Sequence, residues 1–338
     1  MTAPATKPRS RILGTGHYLP AVVRSNRDLE QVVETSDAWI VERTGIKERR
    51  IAPDGIVTSD MATAAAKAAL EAGGVEASDL EMIIVATVTP DTPMPATAVF
   101  LQQKLGATRC PAFDLSAACA GFLFGMSIAD QFIGAGQMRH VLVVGVELLS
   151  RVVDWSNRST CILFGDGAGA AVLGPSSAGD GETSPRGIIS VSIHTDGSLA
   201  KSLWIPGGGS AEPTTHASVD KKRHYVQMKG QDIFKAAVKN LVVACQEALV
   251  QAGMKTSDID WVCAHQANKR IVDQVVARLG VPEQKVLSNI ARIGNTSSAS
   301  IPILLDESVR AGTVRPGHSV LMCALGAGVS WGSAIVRM

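Results

Sequence analysis

The chain has 338 residues, of which 46 % are hydrophobic, 19 % charged and only 4 % aromatic, with 32 glycines. This excludes a disordered chain, which needs low hydrophobicity and high net charge, and the length suits about two domain-sized units. The 32 Lys+Arg against 31 Asp+Glu leave a net charge of +1, so no global field selects nucleic acid as a partner.

In chain order, the opening MTAPATKPRS is polar and lacks the apolar stretch of a secretory signal. No apolar run approaches the ~18 residues of a membrane span, so a cytoplasmic protein that does not enter the membrane is expected. Apolar runs and helical spacing then predict a strand over 82–88, a helix over 97–105, a short strand near Ala112–Asp114, a helix over 120–135 and a strand over 140–146. Gly174–Gly187 and Pro206–Arg223 are rich in Gly, Pro, Ser and charge and read as loops. The first marks the expected boundary between halves 1–180 and 181–338. The second half continues with a strand over 261–264, a helix over 268–279, a strand over 285–288, a helix over 299–311 and a strand over 319–324. Alternating strands and helices place the chain in the α/β class.

The two halves repeat one another at an offset of 179 residues. LEAGGVEASDLEMIIV from Leu70 falls on LVQAGMKTSDIDWVCA from Leu249, matching Gly74 with Gly253, Ser78 with Ser257 and Asp79 with Asp258. At the same offset HVLVVG (140–145) falls on SVLMCA (319–324). Two matched segments at one offset indicate a duplicated unit.

Six cysteines (Cys110, Cys119, Cys161, Cys245, Cys263 and Cys323) include no C-x-x-C pair. A zinc ribbon, a redox pair and a disulfide framework therefore have no support, and no metal site is expected. Cys119, in DLSAACAGFLFG, follows a strand and opens an Ala/Gly-rich helix. A helix N-terminus lowers a thiol pKa, and the small neighbours leave room for a substrate. The alternative is a buried structural cysteine. The repeat maps Cys119 onto Ser298 in GNTSSAS, so its counterpart is the turn that carries Asn295. His265 follows the strand Trp261–Ala264 and sits at a strand end, where α/β proteins gather their sites. A structural histidine is the competing reading. Taken together, the three residues fit a cysteine nucleophile served by a histidine and an amide donor. GDGAGA (165–170) partly matches a dinucleotide fingerprint, but strand-like AAVLG follows it instead of a helix, so it reads as a strand-edge turn. LGAGVSWGSAIV also precedes a strand; its backbone N–H groups are available to a nearby site.

DLSAACAGF, FGDGAGAAVL, HQANKRI, GNTSSAS, GAGVSWGSAIVRM and SDAWIVERTGIKERR together resemble the β-ketoacyl-[acyl-carrier-protein] synthase III family of the thiolase superfamily, over nearly the whole chain. The resemblance implies the thiolase fold, duplicated βαβαβαββ halves in five αβαβα layers, and a homodimer. It implies a Cys119/His265/Asn295 triad that condenses an acyl-CoA starter (acetyl or short-chain) with malonyl-[acyl-carrier-protein] (malonyl-ACP), initiating fatty acid synthesis with no cofactor. The backbone N–H of Cys119 and the Gly326–Ala327–Gly328 turn would serve the acyl-transfer oxyanion. Trp39 and Arg158 resemble the pair that holds the CoA adenine, and Arg43 a CoA phosphate contact. Lys235, Lys269, Arg270 and Arg278 form the expected basic mouth for acyl carrier protein.

Three positions depart from the family pattern. Ala327 replaces a common Gly and restricts φ; Leu325 stands where Phe is common. Met94 stands where Phe closes the acyl tunnel in acetyl-preferring members, and Met is flexible. The neighbouring readings are a relative that primes a secondary-metabolite pathway, an acyltransferase acting without decarboxylation, and a non-catalytic partner subunit. The intact triad speaks against the last.

Overall fold

A computed structural model describes residues 9–108, 110–176 and 186–338. The expected boundary at 180/181 lies outside the described residues. Strands Ser10–Tyr18 (β1), Met82–Ala86 (β2), Ala112–Leu115 (β3), Val141–Glu147 (β4) and Gly167–Pro175 (β5) form a sheet in the spatial order β1-β5-β4-β2-β3. Strands Gly187–Thr195 (β6), Trp261–Ala264 (β7), Ser319–Gly326 (β8) and Ser330–Arg337 (β9) form a second sheet in the order β7-β8-β9-β6. In both sheets the central pairs are parallel (β2 with β3 and β4; β7 with β8), and the last two strands of each half return antiparallel. The thiolase-type duplicated α/β fold is therefore present.

Helices Thr58–Gly73 (α1), Thr97–Leu105 (α2) and Gly121–Gly134 (α3) belong to the first half, and Gly230–Ala252 (α4), Lys269–Leu279 (α5) and Ser300–Arg310 (α6) to the second. Side-chain alternation sorts them into layers. Met82 and Ile84 face the central cluster with Val141 and Val143, whereas Ile83 and Val85 face α1 and α2. In the second sheet Val320, Met322 and Ala324 face the centre, and Leu321, Cys323 and Leu325 face α4 and α5. Both faces of each sheet are buried, which is why these strands read as unbroken apolar runs. α3 and α6 lie between the sheets, giving five layers, αβαβα.

The repeat holds at the level of backbone detail. The 3₁₀ turns Ala118–Ala120 and Ser297–Ala299 are 179 residues apart and lead into α3 and α6. Ala118 (φ 46°) and Ser297 (φ 49°) are two of the few non-glycine residues with positive φ, a conformation tolerated where the surroundings enforce it. The expected strand over 285–288 is reduced to one bridge between Val286 and Val262. The chain turns away there because Gln266 Oε1 accepts the N–H groups of Asn289 and Ile290. The Pro206–Arg223 loop contains a short helix, His216–Asp220. GDGAGA is the turn that enters β5, which begins at Gly167.

The halves interlock. A hairpin of Val22–Ser25 and Glu48–Ile51, with helices Asn26–Glu30 and Asp37–Thr44, leaves the first half and reaches α5 of the second. Arg49 in that hairpin is fully buried and donates to the carbonyls of Arg24 and Ile162 and to Asn26 Oδ1. The halves approach each other closely at Gly145. A Cβ there would lie 2.3 Å from the Ser298 carbonyl oxygen.

Gly145→Ala is expected to force these turns apart and destabilise the fold by about 1–3 kcal/mol, the usual range for overpacking. Gly197→Ala, where a Cβ meets nothing within 4 Å, is the control. Thermal melts of both variants check this.

Candidate active site

Cys119, His265 and Asn295 line one cavity of about 520 Å³. Two arrive from turns at strand ends and the third from the turn after a short helix, Ile290–Ile293. Cys119 sits in the 3₁₀ turn after β3, His265 directly follows β7, and Asn295 precedes the matching turn of the second half. The three are 7 %, 5 % and 6 % exposed, so each has one face on the cavity and the rest in the core.

Hydrogen bonds fix the orientation of the two donors. His265 Nδ1 is 2.5 Å from Ser300 Oγ. A hydroxyl donating to Nδ1 leaves the proton on Nε2. Burial pulls the imidazole down to about 3, so the ring is neutral at ordinary pH. Asn295 Oδ1 accepts from Ser297 N–H at 2.9 Å, which turns its NH₂ group away from that partner. Its backbone is clamped by Leu163 O and Gly165 N, each at 2.9 Å.

The cysteine differs from the sequence expectation. Its helix-start position predicts a lowered pKa, but burial pushes the thiol up to about 12, a rise that the nearby Glu147 reinforces and a hydrogen bond with Ser297 partly offsets. The physical reason is that Cys119 lies beneath the surface, where a thiolate loses hydration. The resting form is the thiol.

The hairpin between β8 and β9 packs onto the cysteine. A Cβ on Gly326 would lie 2.4 Å from Cys119 N, so only glycine lets the chain pass there. Ala327 accommodates a side chain and lines a second cavity of about 250 Å³. That cavity shares Cys119 and is otherwise largely apolar, with Val88, Leu149, Leu203, Ile205 and Val226. Gly328 has φ 128°, a value that disfavours any side chain.

The remaining expected residues divide. Leu325 is buried and lines the large cavity beside His265. Met94 is 86 % exposed and lines neither cavity; in a single copy of the chain it is not an acyl-pocket residue, because its loop points outward. Arg43, Lys235 and Arg270 line the large cavity, and the Arg270 guanidinium lies 5.8 Å from the Phe234 ring centre. Lys269 is instead paired with Asp273 at 2.7 Å along α5. Arg278 is in the last turn of α5, eight residues or about 12 Å along the axis from Arg270, so it does not border the mouth. The guanidinium groups of Arg43 and Arg158 both pack over Trp39, at 4.6 and 4.9 Å from the ring centre. The arginine faces of the expected adenine site are thus folded onto the indole.

Sequence reasoning missed Glu147, Ser297, Ser298 and Ser300. Glu147 ends an otherwise apolar strand, HVLVVGVE, and the strand-end rule that selected His265 would have found it. Its carboxylate is fully buried and accepts from Val88 N–H, from Thr87 and Thr89 hydroxyls, and from Ser297 and Ser298 hydroxyls. The His and Cys/Asp/Glu side chains of the described residues form no cluster able to hold a metal ion, and none of the described helices is long and apolar enough to cross a membrane.

Comparison with known proteins supplies the family. Residues 113–197 match the family described as 3-oxoacyl-[acyl-carrier-protein (ACP)] synthase III, and residues 249–338 match its C-terminal part. The β-ketoacyl-[acyl-carrier-protein] synthase III of Rhodospirillum centenum is 50 % identical, over 97 % of this chain and 99 % of that protein. The enzyme of the same name from Natranaerobius thermophilus is 47 % identical over 97 % of this chain and 99 % of its own. The crystal structure of 3-oxoacyl-[acyl-carrier-protein] synthase III from Aquifex aeolicus superposes with a TM-score of 0.88 at 43 % identity, covering 97 % of this chain and all of that one. The priming β-ketosynthase of the R1128 polyketide pathway gives the same TM-score at 38 % identity, covering 100 % of this chain and 99 % of that one. With a cysteine-bearing turn, two neutral hydrogen-bond donors and a full-length match in both sequence and fold, the chain belongs to the β-ketoacyl-[acyl-carrier-protein] synthase III family of condensing acyltransferases.

Proposed function

We propose that this chain condenses an acyl-CoA starter with malonyl-ACP, losing CO₂ and yielding 3-ketoacyl-ACP. The observation that carries the reading is the meeting of Cys119, His265 and Asn295 on one cavity. In the first half-reaction the Cys119 sulfur attacks the acyl-CoA thioester and CoA leaves. Backbone N–H groups of Cys119 and the 326–328 turn receive the oxyanion. In the second, malonyl-ACP enters and loses CO₂, and the resulting carbanion attacks the acyl-cysteine. His265 Nε2–H and the Asn295 NH₂ hydrogen-bond the malonyl thioester oxygen as it becomes an enolate. Both are neutral, and neutrality matters because a cationic imidazole would hand its proton to the enolate. The reaction so written needs neither metal nor redox cofactor.

The acyl tail takes the apolar cavity beside Cys119. At about 250 Å³ it holds roughly eight times the ~30 Å³ that a water molecule occupies in the liquid, more than acetyl's methyl needs. Arg43, Lys235 and Arg270 give the mouth a local positive charge for CoA phosphates and the acidic carrier protein, despite the balanced total. An adenine base sits on Trp39 after Arg158 or Arg43 swings aside, since an arginine–base–indole stack is favourable. The working unit is a homodimer in the cytoplasm: β3 is an edge strand, and the Met94 loop leads into α2, whose first N–H groups Asp114 of β3 accepts. Met94 contributes to an acyl pocket only where a second copy of the chain brings it there. The size of the tail cavity also favours a second reading, a priming synthase for longer starters; it differs in starter and pathway, not in chemistry.

Cys119→Ser is expected to abolish the acyl-enzyme, seen by intact mass after incubation with acyl-CoA; full transfer in this variant would remove the nucleophile assignment. Acetyl-, butyryl-, hexanoyl- and octanoyl-CoA, each tested with malonyl-ACP, are expected to load Cys119 and yield 3-ketoacyl-ACP, with longer tails favoured over acetyl. Loading without malonyl-dependent product would indicate an acyltransferase instead. Arg270→Glu is expected to raise the KM for malonyl-ACP about tenfold at low salt, with kcat little changed and the difference shrinking as salt is added; steady-state kinetics at two ionic strengths check this.

A further inference from the structure

Glu147 has no part in the mechanism so far, yet it is the acid built most deeply into the site. It ends β4, is 0 % exposed, and its two oxygens are divided between the halves of the molecule. Oε2 accepts from Val88 N–H (3.0 Å), Thr89 Oγ1 (3.0 Å) and Thr87 Oγ1 (3.3 Å) of the first half. Oε1 accepts from Ser297 Oγ (3.1 Å) and Ser298 Oγ (3.0 Å) of the second. Ser297 also shares the apolar cavity wall with Cys119, and its hydroxyl is near enough to the cysteine sulfur to pull the thiol pKa down against burial. Ser297 therefore stands between a buried carboxylate and the nucleophile, held there by a positive-φ backbone.

We propose that Glu147 is a positioning residue that takes the Cys119 proton through Ser297 and holds it for the life of the acyl-enzyme. The inference rests on Cys119 being the nucleophile. In the resting state the thiol S–H points to Ser297 Oγ, whose own O–H points to the Glu147 carboxylate. As sulfur attacks the acyl-CoA carbonyl, the S–H bond breaks and its proton joins Ser297 Oγ; the serine's original O–H breaks and that proton joins Glu147 Oε1. A carbon–sulfur bond forms to Cys119, the one to CoA breaks, and CoA leaves as thiolate to be protonated by solvent. When the malonyl-derived carbanion later displaces Cys119, the cysteine leaves as thiolate and the same two protons step back. The pair keeps one proton throughout; its negative charge leaves with the CoA thiolate and returns when the malonyl-derived carbanion expels the cysteine thiolate.

The arrangement answers two physical problems. A thiol buried to this depth ionises poorly in isolation, and its proton needs an acceptor that is also buried. Burial raises the Glu147 carboxyl to about 7, which makes it a better proton acceptor than an exposed carboxylate. Once Glu147 is protonated, no buried anion lies beneath the site while the enolate forms opposite His265 and Asn295. The titratable group facing Glu147 across Ser297 is Cys119. The β2 end and the Thr296–Ala299 turn present hydroxyls and an N–H to it, and the neighbouring Asp166 is tied to Ala52 N–H and to Ser150.

The test is single-turnover loading of Cys119, followed by quenched intact mass, from the acyl-CoA that loads the native chain fastest, between about pH 6 and 9. Loading by the native chain is expected to rise through about pH 7 as Glu147 ionises. Glu147→Gln is expected to slow loading about 100-fold, within the span of general acid–base effects, to lose that limb, and to keep the native affinity for acyl-CoA. Glu147→Asp retains a carboxylate and is expected to recover the limb and part of the rate. Ser297→Ala leaves the carboxylate's other four donors in place and is expected to lose the same limb, so it decides the matter if Glu147→Gln fails to fold. Native rate and pH profile in either Glu147→Gln or Ser297→Ala overturn the proposal. A slower rate with the limb intact overturns it too, because a merely structural role gives that result. No acyl adduct on the native chain would instead overturn the Cys119 reading.

Discussion

The seam where the two duplicated halves meet governs the rest of this molecule. There the Ser298 carbonyl occupies the space that a side chain at Gly145 would need, and the Ser298 hydroxyl donates to Ala86 O in the opposite sheet and to Glu147. This approach is possible only because a glycine interrupts a strand whose other residues, apart from Glu147 at its end, are valines and a leucine. It brings two turns related by the internal repeat, each with a positive-φ residue, back to back between the sheets. One of them holds Cys119, and Asn295 lies just before the other. The α3 and α6 helices that follow them fill the central layer with Phe122, Leu123, Met126, Ile301, Leu304 and Leu305, so the site rests on the buried core between the sheets.

The electrostatics of the site follow from that depth. A group placed there pays for any charge it carries, which is why the histidine is neutral and the thiol is protonated at rest. The one acid admitted to the centre is surrounded by five donors and still titrates well above an exposed carboxylate. Positive charge is kept at the mouth, where Arg43, Lys235 and Arg270 remain hydrated. A dry interior of neutral donors with a basic rim suits chemistry in which a carbanion must survive beside its electrophile while anionic substrates are gathered from water.

Much of this was legible in the chain. The 179-residue repeat, the period of the apolar strands and the Gly/Ala-rich helix after Cys119 led to the duplicated α/β architecture and to the three residues that share the cavity. Where the structure sets a residue differently from expectation, the expectation rested on chain position or on resemblance while distance in space decided. Arg278 and Lys269 lie in the same helix as Arg270, but a helix turns its side chains to different sides, and Asp273 engages Lys269. Met94 sits in a loop that faces outward. The Cys119 pKa was read from a helix terminus, while burial and a carboxylate 28 residues further along the chain outweighed it.

By itself the sequence determined the periodicities, hence the elements and their duplication, and which reactive side chains end up on turns after strands. Those are local properties, carried by side-chain volume, apolar alternation and glycine placement. Only the tertiary structure decided which of these turns meet, how dry their meeting place is, and that Glu147 and Ser297, from opposite halves, stand beneath Cys119. Hydration loss and hydrogen-bond partnership depend on atoms brought together across the fold, so no spacing along the chain could encode them in readable form.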